Sequence, residues 1–289
     1  MATDAPPALR LDAVVVKASL GGAAPVTPHA PRDLPDLARF LFFALAPAVE
    51  RDVKVLDKVT LEVARGACVA LVGEDAAGKT TLARVCARLA RPTRGTVFVD
   101  GLDVHRARGA AGLNVRRALQ VLLDDDEAAL DPRLHVEESL ALADAALGLT
   151  QRGPRTERFV AALERAQLGP DVLLARAGAL TAGQRKRVAL ARALLAEPSA
   201  IVVDEPAGGL DPFGRGVILD TLGALSARPG GPALLVLTKD LAAARTLARK
   251  VGVLRRGALV EIADTDALFS SPQHPYTQAL VAAAPRMSP

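Results

Sequence analysis

The residues best suited to chemistry in this sequence form a short loop that ends in a lysine and a threonine. The loop follows the pattern GxxxxGK plus serine or threonine, and its residues are Gly73-Glu74-Asp75-Ala76-Ala77-Gly78-Lys79-Thr80. In such a loop the backbone N–H groups hold a phosphate at a helix start, the lysine neutralises the β and γ oxygens, and the hydroxyl ligates Mg²⁺. An apolar strand before the loop and a helical pattern after it disfavour a chance match in an alanine- and glycine-rich chain.

A pair of adjacent carboxylates supplies a second part of such a site. Asp204 and Glu205 directly follow the apolar run at residues 200–203. At the end of a buried strand, Asp204 would hold Mg²⁺ through water, and Glu205 would orient or deprotonate an attacking water. Solvated acids that cap a strand are the alternative. Together with the phosphate loop, the pair instead predicts binding of a nucleoside triphosphate.

The elements that must position these groups alternate between short apolar strands and helices. The predicted strands are residues 67–72, 118–123, 200–204 and 233–238, and the helical patterns that follow them are residues 79–90, 136–168, 213–226 and 241–249. This alternation indicates a parallel sheet covered on both faces. Residues 9–16 and 53–63 predict two more strands, residues 21–36 a loop, and residues 40–49 a short apolar helix.

The composition excludes several classes of function. Aromatic residues make up 3% of the 289 residues, too few for a platform on which single-stranded nucleic acid stacks. The net charge of +4 is small for a nucleic-acid-binding domain. Cys68 and Cys86 have no disulfide or metal-site spacing and are expected to be small buried apolar residues. No signal peptide is expected, and the longest apolar run, residues 40–49, is too short to span a bilayer.

Two further motifs carry a resemblance to a known family. Leu180-Thr181-Ala182-Gly183-Gln184-Arg185 opens a predicted helix and resembles the LSGGQ signature of ABC-type ATPases, and residues 208–211 resemble the D-loop of that family. The order and spacing of the motifs agree with the family over residues 53–262. The resemblance implies that ATP lies between the phosphate loop of one subunit and the signature of another. The predicted nucleotide-binding residues are therefore Gly73, Glu74, Asp75, Ala76, Ala77, Gly78, Lys79, Thr80, Thr81, Thr181, Ala182, Gly183 and Gln184.

The C-terminal stretch narrows the resemblance. Residues 271–280 resemble the HPYT extension of oligopeptide, dipeptide and nickel import ATPases, and residues 130–134 also look like that group. By their own pattern, His274 and Tyr276 favour a proline-flanked helix cap over a chemical site. The resemblance implies an α/β fold of the P-loop NTPase (ABC ATPase) type, with a parallel core sheet, an N-terminal antiparallel β region and a helical subdomain. The predicted domains are an ATPase domain at residues 1–270, with its insert at about 21–50 and its helical subdomain at about 125–180, and an importer-type extension at residues 271–289.

The resemblance also implies partners and a location. In this family two ATPase subunits sandwich two ATP molecules, and closure of the dimer is passed to two membrane permeases. The permeases accept substrate from an external binding protein. The chain would therefore be cytoplasmic and peripheral on the inner face of the cell membrane, with ATP and Mg²⁺ as ligands and no nucleic acid as partner.

Five positions depart from the motifs of the family. Asp75 and Ala76 stand where its phosphate loop has serine and glycine, and Asp75 repels phosphate unless it points away or reaches a cation. Ala182 replaces a signature glycine. Asp124 aligns with the Q-loop glutamine, and it either ligates Mg²⁺ or belongs to a solvated acidic loop. Lys239 replaces the H-loop histidine, and it can pair with a phosphate but has only donors.

The predicted roles combine the intact and the altered motifs. The predicted catalytic residues are Glu205 and Lys239, and the predicted Mg²⁺ ligands are Thr80, Asp124 and Asp204. Residues 1–39 contain no aromatic side chain on which adenine could stack. Phe40, Phe42 or Phe43 could substitute, although packing on a permease or on the core is the favoured interpretation.

These departures lead to one hypothesis and three alternatives. The hypothesis is an ATP-binding subunit of a peptide importer that forms the partly degenerate half of a heterodimer. One alternative is a nucleotide-binding structural or regulatory subunit without hydrolysis. Another is a soluble ABC ATPase that acts without permeases, which the HPYT stretch disfavours. An ABC ATPase of DNA repair or translation is disfavoured by the single nucleotide domain and the small excess of basic charge.

Overall fold

A computed structural model of the chain describes residues 6–19, 52–124, 130–150 and 153–284. The predicted insert at 21–50, with its apolar helix and its phenylalanines, lies outside these residues. The strands are β1 (Leu9–Ser19), β2 (Asp52–Val63), β3 (Cys68–Val72), β4 (Arg94–Val99), β5 (Leu102–Asp103), β6 (Leu119–Leu122), β7 (Ala200–Asp204), β8 (Ala233–Thr238), β9 (Lys250–Arg255) and β10 (Ala258–Asp264). The α-helices are α1 (Lys79–Cys86), α2 (Gly109–Ala118), α3 (Val136–Ala146), α4 (Arg155–Arg165), α5 (Ala182–Leu194), α6 (Pro212–Ala227), α7 (Leu241–Leu247), α8 (Thr265–Ser270) and α9 (Pro275–Ala283).

The described strands form two sheets. An antiparallel sheet has the order β2-β1-β4-β5, and a second sheet has the order β10-β9-β3-β8-β7-β6. In the second sheet β9, β3, β8, β7 and β6 are mutually parallel, while β10 returns antiparallel to β9. The predicted α/β architecture, with its parallel core sheet and N-terminal antiparallel region, is therefore confirmed.

The core strands are apolar because both faces of the parallel sheet are covered. Every residue of β3, β7 and β8 is buried. On one face the antiparallel sheet and α1 pack against it, with Leu11, Leu56 and Leu82 among the buried residues. On the other face α5, α6 and α7 contribute apolar side chains such as Leu190 and Leu222. The sheet is thereby held as a rigid base for the loops at its edge.

A third apolar cluster lies in the helical region that connects β6 to β7. It joins α3, α4 and α5 through Leu140, Phe159, Leu163 and Val188. Two short 3₁₀ turns, Pro170–Leu174 and Ala177–Ala179, lead from α4 into α5. Helix α5 therefore packs both on this cluster and on the core sheet.

Several predicted bounds shift in the structure. Helix α1 ends at Cys86 rather than at residue 90, because Arg88 adopts a left-handed backbone with φ of 64°.

Cys68 and Cys86 are buried as expected, and burial raises the pKa of each thiol to about 12. Among the described helices, none combines the length and apolar character needed to cross a membrane.

Candidate functional site

The predicted phosphate loop joins β3 to α1, and its two glycines are required by their surroundings. A Cβ on Gly73 would lie 2.4 Å from the Leu254 carbonyl oxygen. Gly78 has φ of 108°, and a Cβ there would lie 2.8 Å from the Val55 carbonyl oxygen. Since only glycine tolerates such approaches, the loop packs closely against β2 and the end of β9. Ala76 also has a left-handed backbone, with φ of 62°, at a cost of about 1 kcal/mol.

Lys79 is held inside this loop by backbone carbonyl groups. Its Nζ donates hydrogen bonds to the carbonyl oxygens of Gly73, at 2.7 Å, and of Glu74, at 3.1 Å. The side chain is buried, and Nζ lies 3.5 Å from Oε1 of Glu205. The structure therefore brings the predicted phosphate-binding cation and the predicted catalytic carboxylate together.

Glu205 is fixed by residues at the end of the neighbouring strand β8. Thr238 Oγ1 donates a hydrogen bond of 2.8 Å to Oε2, and the Lys239 backbone N–H donates one of 2.9 Å to Oε1. Glu205 itself has φ of 44°, an uncommon conformation for a residue with a side chain. The turn after β7 thus aims this carboxylate across the strand ends toward the phosphate loop.

Asp204 is the most deeply buried carboxylate of the site. Neither of its oxygens has a partner with hydrogen-bond geometry among the described residues, although the Thr80 hydroxyl lies close enough to favour the ionised form. Burial raises the pKa of Asp204, and the negative charges of Glu205 and Asp124 add to that effect. A buried carboxylate with unused oxygens beside a hydroxyl is a donor set that fits Mg²⁺ or a water bound to it.

Two of the altered positions pair with each other across the cleft. Lys239 Nζ lies 3.3 Å from Oδ1 and 3.4 Å from Oδ2 of Asp75. Asp75, predicted to repel phosphate unless it reached a cation, has such a cation in Lys239. Lys239, expected to pair with a γ-phosphate, is turned toward a carboxylate instead.

Asp124 pairs with a buried lysine that was not predicted from the sequence. Lys186 Nζ, on α5, lies 3.4 Å from Asp124 Oδ1 and 3.1 Å from the Glu205 carbonyl oxygen. Lys186 shares a helical face with Ala189, Leu190 and Ala193, all of them buried. A lysine on the apolar face of a predicted helix requires a buried partner, and that spacing was the available signal.

One cleft of about 870 Å³ is lined by the phosphate loop from Asp75 onward, by Asp124, by Glu205 and by Lys239, whereas Asp204 and Lys186 line a separate cavity. This volume lies in the range of small-molecule sites, about 300–1,000 Å³. Lys54 and Arg256 also line the cleft and were not predicted, because they approach from β2 and the β9–β10 turn, far in sequence from the motifs. The predicted site residues that line it are Asp75, Ala76, Ala77, Gly78, Lys79, Thr80, Thr81, Asp124, Glu205 and Lys239.

The signature residues lie outside this cleft. Thr181 caps α5: its Oγ1 accepts a 3.2 Å hydrogen bond from the Gln184 N–H, and Gln184 Oε1 accepts one of 2.9 Å from the Thr181 N–H. This reciprocal capping box fixes the start of the helix. Within one chain, therefore, the structure does not bring Thr181, Ala182, Gly183 and Gln184 to the phosphate loop.

The C-terminal helix α9 reaches the other side of the phosphate loop. His274 caps it, with Nδ1 accepting a 3.1 Å hydrogen bond from the Tyr276 N–H, so the predicted cap is confirmed. Arg255 stacks on the Tyr276 ring at 4.5 Å. Burial, followed by the negative charge of Glu74, raises the pKa of the Tyr276 phenol. The tyrosine therefore lies against the first variable residue of the phosphate loop.

Comparison with protein families and with known sequences gives consistent matches. Residues 56–208 match the family described as ABC transporter, and residues 260–289 match the family described as oligopeptide/dipeptide transporter, C-terminal region. A Brucella ovis protein named as a peptide import ATP-binding protein is 38% identical over 237 residues, covering 82% of this chain and 74% of that protein. The glutathione import ATP-binding protein of Pectobacterium atrosepticum is 33% identical over 241 residues, covering 83% of this chain and 38% of that protein.

Solved structures show the same fold. The dimeric ATP-binding cassette MJ0796, in a post-hydrolysis state bound to ADP and Pi, superposes with a TM-score of 0.69 at 23% identity. The match covers 89% of this chain and 98% of that one. The protein cbiO1 of Clostridium perfringens, part of the ABC transporter complex cbiONQ, gives a TM-score of 0.70 at 19% identity over 92% of each chain.

Proposed function

The chain belongs to the ABC transporter family of ATPases, and from that premise we propose that it is the ATP-binding subunit of a peptide importer whose own nucleotide site is the weaker half of a heterodimer. The peptide substrate is supported by the names of its relatives, which import peptides and glutathione, and by the match of residues 260–289. ATP is the ligand that the family binds.

Lys79, Thr80 and Asp204 are the residues proposed to hold the triphosphate and its metal. Lys79 is already oriented by loop carbonyl groups, so its side chain loses little conformational entropy when it binds the β and γ oxygens. Thr80 and the unused oxygens of Asp204 would hold Mg²⁺ directly or through water, with Asp124 as a further candidate ligand. When bound, Mg²⁺ supplies positive charge that offsets the charge on the transferring phosphate.

Glu205 is the proposed catalytic carboxylate. Its oxygens each accept one hydrogen bond from the end of β8, and Oε1 also faces Lys79 Nζ, so Oε2 keeps a further lone pair for an attacking water. The orientation is therefore suited to position water beside the γ-phosphate. Glu205 alone would not complete the site, because a general base works with groups that stabilise the developing charge.

The ion pair between Lys239 and Asp75 is the single observation that supports a weakened site. A neutral imidazole both donates and accepts a hydrogen bond, whereas a lysine ammonium only donates. Here that ammonium is also turned toward a carboxylate of the phosphate loop. Loss of one such transition-state contact commonly costs about 100-fold or more in turnover.

The signature residues are proposed to serve a second subunit. Thr181 and Gln184 are fixed at the start of α5 and lie outside the chain's own cleft. A partner ATPase would present its phosphate loop to them, so the partner's site retains a nearly complete signature and carries the hydrolysis. Permeases would hold both ATPases at the inner membrane face, with residues 1–270 as the ATPase domain and residues 271–289 as the importer-type extension.

A complementation experiment tests this function. Cells that lack the chain should lose uptake of labelled di- and oligopeptides, and the parent gene should restore it. Lys79→Ala should fail to restore uptake because ATP binding is lost, whereas Glu205→Gln should restore most of it because hydrolysis occurs at the partner's site. Unchanged uptake in the deletion strain would overturn the importer assignment. Failure of Glu205→Gln would overturn the weak-site assignment alone.

A further inference from the structure

A second concave site lies outside the nucleotide cleft and is lined by arginines. It is a cleft of about 560 Å³ formed by the segment before and at the start of β4 and by the loop between β5 and α2. Arg91, Arg94, Arg106 and Arg108 line it, and Asp103 is the one carboxylate among its lining residues. No lining residue is shared with the nucleotide cleft.

The charge of this cleft is largely uncompensated. Asp103 Oδ1 accepts 2.9 Å hydrogen bonds from the backbone N–H groups of His105 and Arg106, and Oδ2 lies 3.5 Å from Arg106 Nε. The single carboxylate is thus occupied in shaping its own loop. In the part of the chain that the structure describes, Arg91 and Arg94 have no acidic partner, and Arg108 donates only to the His105 and Ala107 carbonyl oxygens.

The pKa of His105 is also affected by the positive charge around this cleft. Burial is the main cause that lowers its pKa, and the nearby charges of Arg88 and Arg91 lower it further. Its Nε2 is held 3.0 Å from the Val85 carbonyl oxygen. The ring is therefore a fixed, uncharged wall, and the arginines are the charged groups.

The wall of the cleft at the start of β4 is rigid. A Cβ on Gly95 would lie 2.3 Å from the Ala13 carbonyl oxygen, so β4 is locked against β1 at this point. The Thr93 N–H donates a 2.7 Å hydrogen bond to the Val15 carbonyl oxygen, and Thr93 Oγ1 accepts one of 3.0 Å from the Lys17 N–H. A binding site whose backbone is fixed beforehand loses little entropy when a ligand enters.

The opposite wall adds the start of helix α2. Arg108 is its N-cap, no side chain caps the helix, and its first turn contains no acidic residue. The free N–H groups there carry partial positive charge, so this end of the helix adds to the field of the four guanidinium groups.

We infer that this arginine cleft binds a phosphate ester, either on a soluble metabolite or on the headgroup of an anionic lipid. Guanidinium groups match phosphate oxygens in bidentate geometry, and several of them together suit a dianion better than a single carboxylate. The volume is in the range of small-molecule sites, about 300–1,000 Å³, which leaves room for the group attached to the phosphate.

The test measures phosphate binding in a Lys79→Ala background, so that the nucleotide cleft does not contribute. The probes are inorganic phosphate and glycerol 3-phosphate, followed by ³¹P NMR, and sedimentation with vesicles of phosphatidylglycerol or phosphatidylcholine. Arg91→Gln/Arg94→Gln should weaken binding about tenfold or more, while Arg249→Gln/Lys250→Gln, which removes the same charge outside the cleft, should not. Thermal unfolding checks that each variant is folded.

The two sources of phosphate give different outcomes. Binding to phosphatidylglycerol vesicles that the first double substitution abolishes assigns the cleft to lipid. Binding of glycerol 3-phosphate without sedimentation on vesicles assigns it to a soluble ester. The inference is overturned if no probe binds, or if the control substitutions weaken binding as much as the substitutions in the cleft.

Discussion

At the scale of single residues, we propose that Lys239 and Asp75 set the charge that an incoming triphosphate meets. Their side chains are 61% and 82% exposed, so their ion pair contributes only about 0–1 kcal/mol to stability. Its effect is therefore on ligand binding rather than on folding. In the proposed weak site, the pair would hold a cation away from the phosphate position and a carboxylate close to it.

Replacement of Asp75 by serine is expected to tighten binding of Mg-ATP by about threefold to tenfold, because a negative charge leaves the phosphate loop and Lys239 is released toward the phosphates. A fluorescent ATP analogue in equilibrium titrations measures this. Asp12→Ser is the control, since it breaks an ion pair with Arg10 on β1 whose side chains are 44% and 39% exposed. Weaker binding by Asp75→Ser than by the parent would show that the carboxylate assists the ligand.

Replacement of Asp204 by asparagine is expected to raise the melting temperature of the nucleotide-free chain at pH 7. Both Asp204 oxygens are buried, neither has a partner with good hydrogen-bond geometry among the described residues, and the charge faces Glu205 and Asp124. With Mg-ATP the parent should instead have the higher melting temperature, because only the parent gains the full stabilisation from the bound metal. Asp220→Asn, at an exposed position of α6, serves as control. A lower melting temperature without nucleotide would contradict this account of the carboxylate.

At the scale of elements, the phosphate loop depends on how closely it approaches β2. Gly78→Ala is expected to abolish ATP binding, because a Cβ would lie 2.8 Å from the Val55 carbonyl oxygen and the loop must shift. Gly101→Ala is the control, because Gly101 also has a positive φ, of 77°, but has open space around it. This variant should lose only about 1–2 kcal/mol of folding stability, the cost of an alanine in a left-handed conformation. Chemical unfolding and ATP titration measure both. Equal ATP affinity in the two variants would contradict the prediction.

Helix α9 is attached to β10 through Glu261. Its two oxygens accept hydrogen bonds from the backbone N–H groups of Gln273, at 2.8 Å, and His274, at 2.9 Å. Burial of Glu261 acts to raise its pKa, but these hydrogen bonds outweigh it and lower the pKa below 4.5. Their stabilisation is therefore fully present above pH 4.5 and is lost as the pH falls through the lowered pKa.

Tyr276 is the single tyrosine of a chain without tryptophan, so its fluorescence reports on α9. We expect the parent to show an acid transition in tyrosine emission below pH 4.5, and Glu261→Gln to lack it because that side chain does not ionise. Glu62→Gln, an exposed change on β2, should retain the transition. An unchanged transition in Glu261→Gln would assign it to another group.

The elements differ in how well the sequence predicted them. Strands β3, β7 and β8 were predicted because burial on both faces requires continuous apolar runs. Strand β4 was missed because it begins Arg94-Gly95-Thr96, and Gly95 is set by its approach to β1 rather than by strand propensity. The meeting of Lys79 with Glu205 was predictable, since parallel strands end at one edge. The pairing of Lys239 with Asp75 was not, because it joins residues 164 positions apart through exposed side chains.

At the scale of the whole molecule, we propose that one chain presents two halves of nucleotide sites that differ in quality. Its phosphate cleft contains the altered positions Asp75, Ala76, Asp124 and Lys239, whereas its signature differs from the family mainly at Ala182. The start of α5 is fixed by a capping box, which gives the signature helix a defined beginning. An asymmetric pair of ATPases would make use of both halves.

Phosphate release from Mg-ATP by the purified chain, measured beside Lys79→Ala and Glu205→Gln, tests the proposed weak site most directly. We predict that the parent binds ATP, that Lys79→Ala does not, and that the turnover of the parent is no greater than that of Glu205→Gln. Turnover that exceeds that of Glu205→Gln by about 100-fold, the usual effect of removing a catalytic group, would contradict this prediction. It would show that Lys239 and Asp124 are effective replacements and that the chain's own site hydrolyses ATP.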